Sequence, residues 1–386
     1  MRLLLLTLLL SFSLNAHFRT FFESSEHTMS GDNVMLILGK AQNAGKALPL
    51  HMPNGLVLTF GDLVAMPDFY GVVGKPISQG KSFKDRQIRF FNAFKSLAFK
   101  KKSKAEAEKI MAVIHNQRDR VLDALKKGKS LKEIKVEIGE AQNVKWNCLT
   151  GGACSGTFWW LSPGRYLNLA KEDYDHFGQD AFLAYQAGHH VSMHVAAEAG
   201  KKGDYKMLEL AYALDGFACH FLTDRFSAGH IRTPRATLAN KVTPSVFGSL
   251  LAGYMHTEEN TYGVHVHNER GDSWMAYGDR FYLDKRNQKN RDMMAKALQN
   301  SADEIYETFE AREMIASTKN IAVLFPEADE MAPHISKDIS PMFWWSKKYQ
   351  TLMRRKDLND VWKGHWTNDW WGWSTLAMLR NIKGDL

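Results

Sequence analysis

The chain has 386 residues, 45% of them hydrophobic and 24% charged, which is enough apolar material for a large buried core in one or two globular domains. Fifty lysines and arginines against 42 acids leave a formal charge of +8, a balance that favours anionic partners such as phospholipid or nucleic acid. Three cysteines with no Cys-x-x-Cys pair exclude a thiolate zinc site of the structural kind, so any metal here rests on imidazole and carboxylate.

In chain order, Arg2 followed by the apolar run Leu3 to Leu10 and the small residue Ala16 reads as a secretory signal peptide over residues 1–16, too short to span a bilayer. Export implies an oxidising context. Cys148 and Cys154 flank Leu-Thr-Gly-Gly-Ala and can close a short loop, whereas Cys219 is expected as a buried free thiol. Residues 17–50 carry no clear element, and the apolar run 54–66 fits either a strand or the start of a helix. Helical spacing then predicts helices over 84–98, 103–127, 130–140, 163–172, 177–199, 203–226 and 290–316. The Gly-rich segment 150–156 and the prolines near 163, 234 and 244 mark turns or loops. The expected fold is mainly α: a multi-helix domain over residues 17–320 with long functional loops, followed by a distinct segment, 321–386.

Two stretches stand apart in composition. From Lys81 to Lys109, Arg86, Arg89, Lys95 and Lys100 to Lys102 alternate with Phe90, Phe91, Phe94, Leu97 and Phe99. That spacing predicts a helix with one buried and one solvated face, with a membrane-surface helix as the alternative. Near the carboxy terminus, seven of the eleven tryptophans fall between Trp344 and Trp373. Aromatic residues with a polar tip suit a lipid headgroup layer, or else pack this segment on the main domain.

The chemistry concentrates between residues 176 and 267, where histidines bunch. His220 and Asp224, four residues apart, share a helix face with Cβ atoms about 5–6 Å apart, a spacing suited to one metal ion. His230 follows beyond the helix end marked by Gly229 and can reach a second ion. His176 precedes a helix, Asp68 follows an apolar run, and His256 leads Glu258 and Glu259. Ligands scattered in this way are expected where a multi-metal site is assembled between helices. A competing set, His190, His194 and Glu198, also recurs every fourth residue but reads more simply as an outward face, with His189 as a core residue.

These stretches resemble a known group. Leu214 to His230 is similar to the ligand helix of the zinc-dependent phospholipase C and single-strand nuclease superfamily. His-Ile-Arg-Thr-Pro-Arg from 230, Met-His-Thr-Glu-Glu-Asn from 255, Asn-Glu-Arg-Gly-Asp-Ser-Trp from 268 and Ala-Tyr-Gly-Asp from 276 resemble, more narrowly, the secreted phospholipases C of the Pseudomonas and Legionella type. Pro-Asp-Phe-Tyr-Gly around Asp68 and Asp-His-Phe-Gly around His176 fit too, so the resemblance covers about residues 55–285.

The resemblance implies a helical fold, a cluster of about three zinc ions and secretion. It places Asp68, His176, His220 and Asp224 around one ion, and His230, His256 and Glu259 around a second, with Glu258, or His265 with Glu269, as substitutes for Glu259. Asp224 would bridge to a third ion, completed by His17 as the mature amino terminus together with His27 or His51. The implied reaction is hydrolysis of the glycerol-side phosphodiester of a phospholipid, with phosphatidylcholine expected, and Asp68 is the expected catalytic base. The implied partner is a phospholipid surface, with no nucleic acid and no obligate protein partner. A single-strand nuclease on the same metal core, and a non-catalytic lipid-binding protein, are the rival readings.

Overall fold

The computed structural model describes residues 24–39, 43–129, 141–156, 158–242, 245–315, 319–331 and 338–370. The leader at 1–16, His17, the helix expected over 130–140, and Trp371 and Trp373 lie outside the described residues.

The architecture is mainly α-helical. In chain order come α1 (Ser24–Gly31), the hairpins β1 (Met35–Ile37) with β2 (Ala44–Lys46) and β3 (Leu50–His51) with β4 (Val57–Leu58), then α2 (Phe60–Ala65), α3 (Phe83–Ala98) and α4 (Lys101–Lys126). After α5 (Ala141–Leu149), α6 (Arg165–Ala170) and a 3-10 turn at Tyr174–His176 follow α7 (Gly178–Lys202), α8 (Tyr205–Asp224), α9 (Ala228–Ile231), α10 (Arg235–Lys241) and α11 (Ser245–Tyr262). The hairpin β5 (Val264–His267) with β6 (Ser273–Ala276) leads to α12 (Gln288–Ala311) and α13 (Lys319–Ala322), and a three-stranded antiparallel sheet closes the chain: β7 (Phe343–Ser346), β8 (Thr351–Arg355) and β9 (Trp366–Thr367). Among the described residues no helix is long and apolar enough to cross a membrane.

Helix α8 is the axle of the fold. Asp204 caps it, its side chain accepting from the backbone N–H groups of Lys206 and Met207, and every residue from Ala211 to Asp224 is buried. A helix that is apolar nearly all round cannot lie on a surface, and α7, α12, α2 and α3 enclose this one in a single core. Gly188 of α7 permits the closest approach, since a Cβ there would lie 2.3 Å from Phe90 Cε2 and 2.6 Å from Ala218 Cβ.

Several expectations need amendment. The run 54–66 is both strand and helix, divided at Thr59, whose side chain caps α2 in a capping box with Asp62. The helix expected to reach residue 226 stops at Asp224: the N–H groups of Arg225, Phe226 and Ser227 each turn back to a carbonyl three residues earlier. Helices α1, α5, α9, α10, α11 and α13 lay outside the expected set. Helix α11 contains two glycines and three β-branched residues, weak helix formers, and packing sustains it instead. Leu251, Ala252 and Met255 form a second small core with Leu238, Met342, Phe343, Leu352 and Leu358, so the terminal sheet sits on α10 and α11. Arg355 is fully buried and donates to Glu258 Oε1 at 2.7 Å and to the carbonyls of Ser340 and Leu358 at 2.6 Å each, fixing β8 to α11.

Candidate metal centre

Seven separate segments carry eight histidine and aspartate side chains to the buried end of α8. His220 and Asp224 come from its last turn, His27 from α1, Asp68 from the turn after α2, and His176 from the 3-10 turn before α7. His230 lies on α9, His256 on α11 and Asp279 in the turn after β6. They form three groups, His27–Asp68–His220, His176–His220–Asp224 and His230–His256–Asp279, with the ligating atoms of each group within 4.8 Å of one another.

The separations suit metal coordination. His176 Nδ1 lies 2.8 Å from Asp224 Oδ2 and 3.0 Å from His220 Nε2, and His220 Nε2 lies 3.6 Å from Asp68 Oδ1. His230 Nε2 and His256 Nε2 stand 3.0 Å apart, and Asp279 Oδ2 is 2.9 Å from His256 Nε2. Four ligands around one ion at bond lengths near 2 Å lie about 3.3 Å apart.

Hydrogen bonds behind the rings aim their lone pairs inward. His220 Nδ1 meets the carbonyl of Val64, His230 Nδ1 the carbonyl of His176, each at 2.8 Å. A carbonyl only accepts, so each Nδ1 carries the proton and each Nε2 faces the cluster with a free pair. His27 Nδ1 lies 2.8 Å from Thr223 Oγ1, whose own proton goes to the carbonyl of His220. Burial, reinforced by neighbouring imidazoles, pushes His220 and His27 well below the ordinary histidine value and His230 down to about 3, so these rings stay neutral, as metal ligands must. Burial raises Asp68 to about 7 and Asp224 to about 6. For His176 burial opposes the charge, but the carboxylates of Asp224, Asp68 and Asp173 together outweigh it and hold the ring at about 9.

One atom tests whether this is a ligand set or merely a buried network. Asp224 Oδ1 is buried and accepts no hydrogen bond among the described residues, and it lies 3.6 Å from both His27 Nε2 and His230 Nδ1. A buried carboxylate oxygen without a donor is costly. A divalent cation in the space it shares with His27 Nε2 would satisfy it. Each imidazole ligates through one nitrogen here and His220 belongs to two groups, so two wholly separate groups are complete among the described residues.

The groups of the first expected ion, Asp68, His176, His220 and Asp224, do converge, and His27 joins them. The second group departs from expectation. Glu259 turns to Arg232, whose Nε donates to its Oε1 at 2.7 Å, and Glu258 turns to Arg355. On a helix the residue that shares the face of His256 is Asn260, four positions on, and its Nδ2 stands 3.2 Å from His256 Nε2. The carboxylate is delivered from another element, by Asp279, which closes the Ala-Tyr-Gly-Asp motif. Its Oδ1 accepts from Ser227, while Asn260 Oδ1 accepts from the N–H of Gly229. Gly278 makes this possible, because a Cβ there would fall 1.5 Å from Asn260 Oδ1. The remaining alternatives lie elsewhere. His51 is exposed and bound to Glu209, His265 meets Ser273 Oγ at 2.7 Å, and Glu269 is exposed in the β5–β6 turn.

The competing histidines also resolve. His190 bonds Gln87 at 2.7 Å, while His194 and Glu198 are exposed. Cys148 and Cys154 form a disulfide, and Cys219 is buried with a free thiol. Outside reaches the cluster through a small cavity beside His176, lined by Pro67, Val72, Val73, Asp175 and Phe221 among others. Asp175 fixes its rim, its carboxylate accepting from the N–H groups of Ile77 and Ser78 at 2.6 and 2.7 Å. Comparison with protein-family models, curated proteins and solved structures returns no match, so the assignment rests on this constellation of donors, which has the makings of a buried multinuclear metal centre.

Proposed function

We propose that the protein is a secreted zinc-dependent phosphodiesterase of the phospholipase C kind, cleaving the glycerol-side phosphodiester of phospholipids to diacylglycerol and a phosphorylated headgroup. The observation that carries this reading is the buried Asp224 Oδ1, left without a hydrogen-bond donor among the described residues while the neutral His27 ring stands 3.6 Å away through Nε2. A ligand set of imidazole and carboxylate without thiolate is the set of catalytic zinc, and the sequence resemblance to the zinc-dependent phospholipases supports the same metal. His176, His220 and Asp224 would hold one ion, His230, His256 and Asp279 a second, and His27 with Asp68 would contribute to a third. Zinc so held neutralises phosphoryl oxygens and lowers the pKa of water towards about 7.

The protein supplies the rest. Asp68 is more exposed than Asp224, its Oδ2 accepts from Ser24 Oγ at 3.2 Å, and burial holds it at about 7. A carboxylate poised there takes the proton of the attacking water as the new P–O bond forms, then returns it to the diacylglycerol oxygen as the old bond breaks. Val72 and Phe221 give the cavity an apolar lining.

Metal analysis of the purified protein, combined with phosphocholine release from phosphatidylcholine and nucleotide release from single-stranded DNA, tests the reading. It expects at least two zinc ions per chain and chelator-sensitive phosphocholine release. Dominant nucleotide release would replace it with the nuclease reading, and a zinc-loaded protein inert on both substrates would leave the lipid-binding reading.

A further inference from the structure

The outer face of α3 was only half accounted for by its core contacts. Phe90, Ala93, Phe94, Leu97 and Ala98 enter the core, yet Ile88 remains 50% exposed, Phe91 37% and Phe99, just past the helix end, 38%. Lys84, Ile88, Phe91 and Lys95 recur at four, three and four residues, which places them in one outward stripe. Lys100, Lys101 and Lys102 extend it, all three exposed. None of these five lysines is in an ion pair among the described residues. The nearby acids are engaged locally: Asp85 with Arg89 at 3.3 Å, Glu106 with Arg165, and Glu108 with Lys104. The result is an uncompensated basic field with large apolar side chains standing in its middle.

We propose that this surface is a docking site for anionic phospholipid membranes, seating Ile88, Phe91 and Phe99 among the headgroups while Lys84, Lys95 and Lys100 to Lys102 meet their phosphates. A helix with lysines flanking exposed phenylalanine and isoleucine is the pattern that lies in a membrane interface. Single-stranded nucleic acid would also answer the lysines and stack on Phe91 and Phe99, but Ile88, the most exposed apolar side chain of the stripe at 50%, suits a headgroup–acyl boundary instead. The inference rests on the phospholipase reading for its purpose, since docking here holds the enzyme at its substrate surface. Its physics stands on the surface alone.

The test is flotation of the full chain with vesicles in excess chelator, so that no turnover is needed. Wild-type protein partitions onto equimolar phosphatidylcholine–phosphatidylglycerol vesicles much more than onto phosphatidylcholine alone. Replacing Lys95, Lys101 and Lys102 by Gln weakens partition about fivefold per lysine, and Ile88→Ser weakens it on both vesicles. All four side chains are exposed, so the fold is retained. Unchanged partition of the triple variant, equal wild-type partition onto both vesicles, or capture of single-stranded DNA in place of vesicles overturns the proposal. Hydrolysis of a monomeric short-chain phosphatidylcholine by the metal-loaded protein separates the two claims. The triple variant keeps the wild-type rate, whereas absence of that hydrolysis in wild type sinks the phosphodiesterase and leaves the docking result standing.

Discussion

Helix α8 carries histidine–carboxylate chemistry on two faces, and the two behave differently. On one, His220 and Asp224 join the metal-facing set. On the other, Asp215 Oδ1 lies 2.6 Å from His189 Nδ1, Glu304 Oε2 lies 2.8 Å from His189 Nε2, and Ser301 donates to Asp215 at 3.0 Å. Residue types and burial are the same. What differs is satisfaction: both nitrogens of His189 have carboxylate partners, whereas Asp224 Oδ1 accepts nothing among the described residues and His220 Nε2 faces another imidazole. A closed network holds helices together, and one with lone pairs facing inward leaves room for a cation. His189 thus clamps α7, α8 and α12 and supports the segment that presents His220.

The contrast can be broken at four points, the largest effect first. His220→Ala should remove bound metal and lower phosphocholine release about a thousandfold, and full metal content in this variant would show that the cluster is no ligand set. His189→Leu leaves Asp215 and Glu304 buried without their cation and should cost about 3–5 kcal/mol in urea unfolding. Metal content per folded molecule should remain that of wild type, and loss of metal without loss of stability would interchange the roles of the two faces. Asn260→Ala withdraws the acceptor of the Gly229 N–H and the neighbour of His256, and should weaken metal binding at His230–His256–Asp279 about 10- to 100-fold, measured by chelator competition.

The fourth point is pH. Burial opposes the charge on His189, but Asp215 and Glu304 outweigh it and hold the ring at about 9, above its ordinary 6.5. The associated stability is fully present below 6.5 and drains away as pH climbs through 9. Melting of the metal-free protein should therefore fall over that window, and His189→Leu should flatten the decline. A wild-type melting temperature unchanged across it would contradict an imidazolium at this position.

Much of this was legible in the sequence because the ligand-bearing elements are local. The four-residue spacing of His220 and Asp224 and the periodicity of α3, α4, α7, α8 and α12 predict their own geometry. The second candidate metal group was not legible, because its carboxylate comes from a loop that only tertiary packing brings to His256. Glu258 and Glu259 look equivalent to Asp279 on paper, and the arginines that claim them lie 97 and 27 residues away. Helix α11 was missed for a related reason, since it owes its helicity to the terminal sheet rather than to its own residues. A clue did exist: in Ala-Tyr-Gly-Asp a glycine precedes the acid, as close backbone approach requires.

The bond from Arg355 to Glu258 has a consequence for the order in which the molecule matures. A chain still emerging from a ribosome or a translocation pore has His230, His256 and Asp279 in hand long before β8 arrives. Until it does, Glu258 has no guanidinium, and α11 lacks the apolar cover of Phe343 and Leu352. The segment that lets the His256 group settle thus follows Glu258 by 97 residues, so a nascent chain gathers these side chains before it can hold them in place.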